Sequence, residues 1–246
     1  MPQGTAGLIA NAIRAVPRDA WRGLAQLIPE KRRPPQFDDK MAKLAGVLEG
    51  GRDNFYRLVI THWPDAETLV PGAAPPLFIA DDPRVASVVP NPIERMQYLD
   101  SVTYLPDDIL TKLDRASMAM SLEARVPLID HRVVAFSWQL KPEWKARPGR
   151  GKYLLRRVLD RYVPRALIER PKTGFAVPID SWLRGPLKDW AESLLDEARL
   201  KREGILAPAP IRQKWQEHLS GKRNWQYLLW DVLMFQAWKE RWLPNG

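Results

Sequence analysis

The sequence contains no cysteine. That excludes disulfides, thiolate catalysis and zinc sites built on cysteine ligands, and it excludes a cysteine-dependent glutaminase within this chain. Histidine is scarce. His62, His131 and His218 lie far apart and no two have a metal-ligand spacing, so each reads as a structural or surface residue and no metal site is expected. No run of about 18 apolar residues occurs, so no membrane-spanning helix is expected. Met1 to Ala15 lacks a charged leader, and Asn11 and Arg14 interrupt its apolar stretch. It does not read as an export signal, which makes the cytoplasm the expected location. No stretch alternates convincingly with period two, and no internal repeat is found.

What is present is an ordinary globular composition: 246 residues, 45% hydrophobic, enough to bury a substantial core in one large domain or two small ones. The 11 tryptophans are many for that length and read as core and interface residues. The net charge of +9 favours polyanionic partners in general. Most of the basic residues are nonetheless interleaved with acidic ones. The cluster Lys31-Arg32-Arg33 runs into Pro34-Pro35 and reads as a solvated linker. A second basic stretch, Lys145 to Arg157, has a more specific context.

Periodicity predicts a mainly α-helical chain. Residues 5–28 read as one or two short helices, with Pro17 and Asp19 opening the second, and 29–37 as a Pro- and charge-rich connector. Asp38 opens a helix with Met41, Leu44, Ala45 and Leu48 on one face. Gly50-Gly51 is expected to end it, and a further helix to cover Asp53 to His62. Residues 64–92 are rich in proline and loops. Glu94 to Tyr104 is helical in pattern, and Pro106 suits the first position of a helix with Asp107 and Asp108 at its positive end. Ile109, Leu110, Leu113, Ser117 and Met120 share a face of that helix. Asp130 caps a helix running to about Gln139, residues 141–151 form a basic loop, and Lys152 to Tyr162 is helical. An irregular loop covers 169–178, and three helices follow near 180–199, 208–219 and 224–242.

Three segments carry chemistry. In Tyr104 to Asp130, the charged residues Asp114, Arg115, Glu123 and Arg125 stand among core-type residues. A charge in such a setting must be paired or used, so the choice is an internal salt-bridge network or a site. In Gly149 to Arg156, a glycine-flanked Lys152 at a helix start combines free backbone N–H groups with a mobile cation, a workable phosphate site or a simple turn. In Glu169 to Pro178, Lys172 sits in an irregular loop and can place a point charge on a developing phosphate charge.

Together, in this order and spacing, these segments resemble the synthetase domain of glutamine-hydrolysing asparagine synthetases. The family pattern Asp-Arg-x-Ser-Met is met by Asp114 to Met118, and Glu-x-Arg-Val-Pro with its closing Asp by Glu123 to Asp130. Gly-Lys-x-x-Leu-Arg is met by Gly151 to Arg156, Arg-Pro-Lys-x-Gly-Phe by Arg170 to Phe175, and the closing Trp-x-Tyr pattern by Trp225 to Phe235. The resemblance is strong from Ile93 to Trp242, weaker over 38–92 and poor before that. It divides the chain into poorly matched helices and linker over 1–37 and a helical synthetase part over 38–246.

The resemblance implies ATP-dependent adenylation of the aspartate side-chain carboxylate, release of pyrophosphate, and displacement of AMP by glutamine-derived ammonia. Lys172 matches the family lysine that stabilises charge at the phosphates, and Lys152 a second lysine near them. Arg115, Glu123 and Asp114 match positions around the acceptor and adenylate pocket. ATP and Mg²⁺ are implied for the complete enzyme, with neither expected to bind tightly to this chain alone. Relatives with these motifs make asparagine, close β-lactams or amidate cell-surface precursors, and the acceptor stays open.

The family's phosphate loop, Ser-Gly-Gly-x-Asp-Ser, has no counterpart. Its nearest look-alike, Glu49-Gly50-Gly51-Arg52-Asp53-Asn54, replaces both serines and follows helical spacing. The Gly-Asp-Glu stretch and the N-terminal nucleophilic cysteine are also absent. The expectation is therefore the helical C-terminal part of an ATP-pyrophosphatase-like synthetase domain with its parallel sheet largely missing. Its expected partners are a nucleotide-binding half, a glutaminase domain and a carboxylate substrate, with no membrane and no nucleic acid. Two other readings stand beside it: an inactive helical scaffold, and a basic helical polyanion binder.

Overall fold

The computed structural model describes residues 3–29, 37–63, 66–74, 78–169 and 177–243. Helices dominate, and the only strands among the described residues are two of two residues each. Contacts divide the chain into two units: Met1–Phe78 with Ala176–Gly246, and Ile79–Phe175.

The first unit begins with three helices, α1 Gln3–Ala15, α2 Arg18–Gln26 and α3 Phe37–Ile60. Pro17 separates α1 from α2, as its missing N–H requires. The buried apolar residues here are small or amphipathic, Ala10, Ala25, Ala45 and Tyr56, and Asp38 is buried with them. Alanines let the helix backbones approach closely. Trp21 donates its indole N–H to the Ile13 carbonyl at 3.3 Å and meets the Phe37 ring edge-on, and Arg14 pairs with Glu49.

The bounds of α3 take in Gly50-Gly51, where the sequence predicted a stop between two helices. Yet a Cβ on Gly46 would lie 3.3 Å from the Leu58 side chain, twelve residues on. A straight helix would separate those residues by about 18 Å. The helix axis therefore turns back on itself between them. The double glycine sits inside this reversal and not at an end, so one assigned helix does the work of the two expected.

The same unit holds a C-terminal bundle: α4 Ala66–Leu69, α11 Ile179–Arg184, α12 Lys188–Leu194, α13 Glu197–Glu203, α14 Pro208–Leu219 and α15 Gln226–Trp242. The single helix expected near 180–199 is broken twice. Gly185-Pro186 stops it once, and Asp196 restarts it by accepting the Arg199 N–H at 2.8 Å. Leu183, Leu194, Leu195, Leu200, Ile211, Trp215, Leu229 and Leu233 are completely or almost completely buried and form one cluster.

The Gln236 amide nitrogen in this core is paired, while its Oε1 is buried without a hydrogen-bond partner among the described residues. Gln236 donates to the Leu194 carbonyl at 3.3 Å and to Glu203 at 2.8 Å, while Arg199 reaches Glu203 at 3.0 Å. Burial pushes the Glu203 carboxyl up. Hydrogen bonds from Gln236 and Arg199 and the Lys239 charge outweigh that and hold it below its usual range. The Lys214 ammonium lies 4.8 Å from the Trp63 ring and 4.9 Å from the Trp225 ring, which ties the residues after α3 to the bundle.

The second unit contains α5 Pro83–Val88, α6 Pro92–Val102, a π-helical turn Leu105–Leu110, α7 Thr111–Met118, α8 His131–Gln139, α9 Pro142–Lys145, a hairpin of β1 Ala146–Arg147 and β2 Arg150–Gly151, and α10 Tyr153–Leu159. Its helix starts follow local chemistry. Asn91 accepts from Ile93 and Glu94, and Asp130 from Arg132, each ahead of the first turn. Pro106 stands where expected, but the turn it opens is wide: Thr111 Oγ1 donates to the Pro106 carbonyl at 2.8 Å. The hairpin, expected as a loop, closes through Pro148-Gly149 with Gly149 at φ +72°.

Only Leu99 is buried among the described residues of this unit. Its other large apolar side chains are partly or largely exposed.

Candidate functional site

The described candidate site residues, Asp114, Arg115, Glu123 and Lys152, lie in the second unit, and the closing motif Trp225 to Phe235 lies in the first. Asp114 and Arg115 are neighbours on α7, both exposed, and neither side chain has a partner among the described residues. Glu123 and Arg125 pair with each other at 3.0 Å, with side chains 70% and 81% exposed. No internal salt-bridge network holds these four charges among the described residues. Glu123 and Arg125 form one solvated pair, worth about 0–1 kcal/mol. The face shared by Leu113, Ser117 and Met120 is likewise uncovered, Met120 being 75% exposed.

Lys152 is exposed and precedes α10 in the left-handed region, φ +56° and ψ +39°. A residue with a Cβ rarely adopts that conformation, at a cost of roughly 1–2 kcal/mol. Ser121, within the Glu-x-Arg-Val-Pro approach, is the only other non-glycine residue at positive φ among the described residues, also +56°. The helix after Lys152 is shorter than predicted, ending at Leu159 where Tyr162 was expected. Lys172 and the motif Arg170 to Phe175 lie outside the described residues. No hydrogen bond or ion pair joins Asp114, Arg115, Glu123 and Lys152 to one another among the described residues.

Sequence reasoning missed the cation–π system beside these motifs. The Arg147 guanidinium lies 3.8 Å from the Tyr153 ring centre and 6.0 Å from that of Trp144. The Lys145 ammonium lies 4.9 Å from the Trp138 ring and 3.5 Å from Glu94, the two side chains mostly buried. The signal was the alternation of Trp138, Trp144 and Tyr153 with Lys145 and Arg147. Only the hairpin brings Arg147 back over Tyr153, and spacing alone does not show that.

A cleft opens between α10 and Ile168-Glu169, lined mainly by Arg150, Tyr153, Arg156, Arg157, Asp160 and Glu169. No group of three or more His, Asp or Glu side chains that could hold a metal ion is found among the described residues. No helix among them is long and apolar enough to cross a membrane.

The model of the asparagine synthase family matches residues 7–240, and the chain belongs to that family. It is 33% identical over 158 residues to asparagine synthetase [glutamine-hydrolyzing] 1 of Bacillus subtilis, covering 62% of this chain and 25% of that protein. It is 38% identical over 149 residues to a putative asparagine synthetase [glutamine-hydrolyzing] of Mycobacterium bovis, covering 60% and 22%. The rat asparagine synthetase [glutamine-hydrolyzing] is 30% identical over 139 residues, covering 50% and 24%. The chain thus spans about a quarter of the length of the curated relatives it matches. No solved structure matches it.

Proposed function

We propose that this chain is the C-terminal helical part of an ATP-dependent, asparagine-synthetase-type ligase of the ATP-pyrophosphatase-like class, and that it acts only with a nucleotide-binding half and a glutaminase. The observation that carries this is the state of the second unit. It holds the family motifs, buries only Leu99 among its described residues, and presents both motif charges and large apolar side chains uncovered. Charges kept on an uncovered, partly apolar surface are what one wall of a shared active site requires.

In the completed enzyme the aspartate β-carboxylate attacks the α-phosphorus of ATP, pyrophosphate leaves, and ammonia then displaces AMP. Lys172 and Lys152 stabilise the negative charge that builds on the phosphates. Arg115, Glu123 and Asp114 form the pocket around the carboxylate and adenylate. Mg²⁺ and the adenine would be held by the nucleotide-binding half, since the described residues of this chain offer no metal cluster. Aspartate is the acceptor that the relatives' names favour.

The test is reconstitution. The chain is mixed with the nucleotide-binding and glutaminase portion of a relative, and aspartate-dependent pyrophosphate release is measured. The mixture should be active, and the chain alone should be inactive and bind ATP weakly. Lys172→Ala should lower the reconstituted rate by about a hundred- to a thousand-fold, the loss of one transition-state contact of roughly 2.7–4 kcal/mol. Near-normal adenylation by that variant would remove Lys172 from the site. No activity in any mixture would favour the inactive scaffold.

A further inference from the structure

We propose that the cleft beside α10 is a binding site for a phosphate group, separate from Lys152 and independent of the ligase reading. The argument rests on which of its charges are already neutralised. Tyr153, Arg156, Arg157 and Asp160 are spaced i, i+3, i+4, i+7 and so lie on one helix face. Both carboxylates of the cleft are engaged. Asp160 takes the Arg165 guanidinium at 2.8 Å, and Glu169 takes Arg150 at 3.1 Å. Arg156 spends its Nε on the Gly151 carbonyl at 3.2 Å, which positions the side chain without cancelling its charge. Arg157 has no partner among the described residues.

Two guanidinium charges are therefore left over in a concave site. A third stands beside it, because Arg147 lies against the Tyr153 ring. That contact also occupies a face of the tyrosine, which disfavours a stacked base there. The surroundings reinforce the sign. The described residues 141–169 hold nine Lys and Arg against three Asp and Glu, an excess of six in a chain whose whole excess is nine. Guanidinium forks match the oxygens of a phosphate bidentately, which a diffuse basic surface does not.

The test uses the full chain, with inorganic phosphate, pyrophosphate and AMP as probes, followed by isothermal titration at low ionic strength and by phosphorus NMR. Saturable binding is expected. Arg157→Gln and Arg156→Gln should each weaken it about tenfold or more, the loss of one charge-assisted contact. Arg161→Gln, an exposed arginine of the same stretch outside the cleft, should leave it unchanged. AMP binding more tightly than phosphate through the same two arginines would identify a nucleotide as the source, and equal affinity a free phosphate. The proposal is overturned by an absence of saturable binding, by equal weakening in Arg161→Gln, or by loss in Lys152→Gln with Arg157→Gln unaffected. Because these variants replace exposed side chains, unchanged circular dichroism should accompany each result.

Discussion

At the scale of single residues, His218 is the clearest case of a side chain whose protonation the fold decides. It is completely buried against Trp215. Its Nδ1 accepts the Trp225 N–H at 3.2 Å, and Nε2 lies 3.3 Å from the Asp180 carbonyl. That pattern suits the neutral ring protonated on Nε2. Burial, and then the nearby Arg184 charge, lowers its pKa from the ordinary value. The sign follows from linkage. The unfolded chain takes up a proton near pH 6.5 while the folded one resists, so the stability His218 contributes is complete above about pH 6.5 and is lost as pH falls through that value towards the lowered one. Glu192, Glu203 and Glu217 are held below their usual range, so their losses begin at lower pH. Urea midpoints should therefore drop between about pH 7 and pH 5 in the wild type and much less in His218→Gln. Parallel slopes would dismiss the idea.

Lys152 separates stability from function at the same scale. Its left-handed backbone suits glycine better than lysine. Lys152→Gly should raise the stability of the chain by about 0.5–1 kcal/mol in denaturant unfolding while lowering activity after reconstitution. A variant that loses stability would mean that the lysine side chain itself holds the turn. Asp114, Arg115, Glu123 and Lys152 could be singled out as candidates from the sequence because motif spacing is a one-dimensional property. Their exposure was not, because burial depends on what lies opposite, and periodicity carries no information about that. Lys172 was equally legible, but it lies outside the described residues.

Among elements, α8 and α15 make the sharpest contrast. In α8, Val133, Val134, Phe136 and Trp138 are spread over most of the circumference and are 40%, 37%, 54% and 37% exposed. A helix apolar on all sides normally belongs in an interior. In α15, Leu229, Val232 and Leu233 are buried. Leu233→Ala should cost about 2–5 kcal/mol, as buried leucines do, while Phe136→Ala should cost about 0.5 kcal/mol or less in the isolated chain and reduce apolar-dye binding. A large cost at Phe136 would show that α8 is already covered. Element boundaries were readable where a side chain caps the helix, as at Asp130, or where proline opens it, as at Pro106. They were misread where two cues conflict. Gly50-Gly51 looks like a helix end but allows a reversal, and the apolar run after Ile179 concealed two breaks.

For the whole molecule, the core and the motifs are carried by different units. The bundle of α11–α15 with α4 holds the contiguous apolar cluster, and Ile79–Phe175 holds the described catalytic candidates with a single buried residue. The packed unit resembles a finished fold. The motif-bearing one leaves most of its large apolar side chains partly or largely exposed, and the chain spans about a quarter of the relatives' length. The mainly helical class followed from the absence of period-two stretches. The division into two units did not, because it depends on contacts between residues far apart in the chain.

The concentration of charge in residues 141–172 has a consequence for how the molecule behaves near any charged boundary. Outside that stretch positive and negative side chains nearly balance, so nearly all of the excess charge belongs to one segment of the second unit. A body charged on one segment turns before it docks. On a cation-exchange matrix the chain should present that segment to the resin, and retention should follow the segment and not the net charge. Neutralising Arg157 and Arg161 together should bring elution forward much further than neutralising Lys40 and Lys43, two exposed cations of α3, although each pair removes the same charge. Equal shifts would show that the resin meets the molecule from every side.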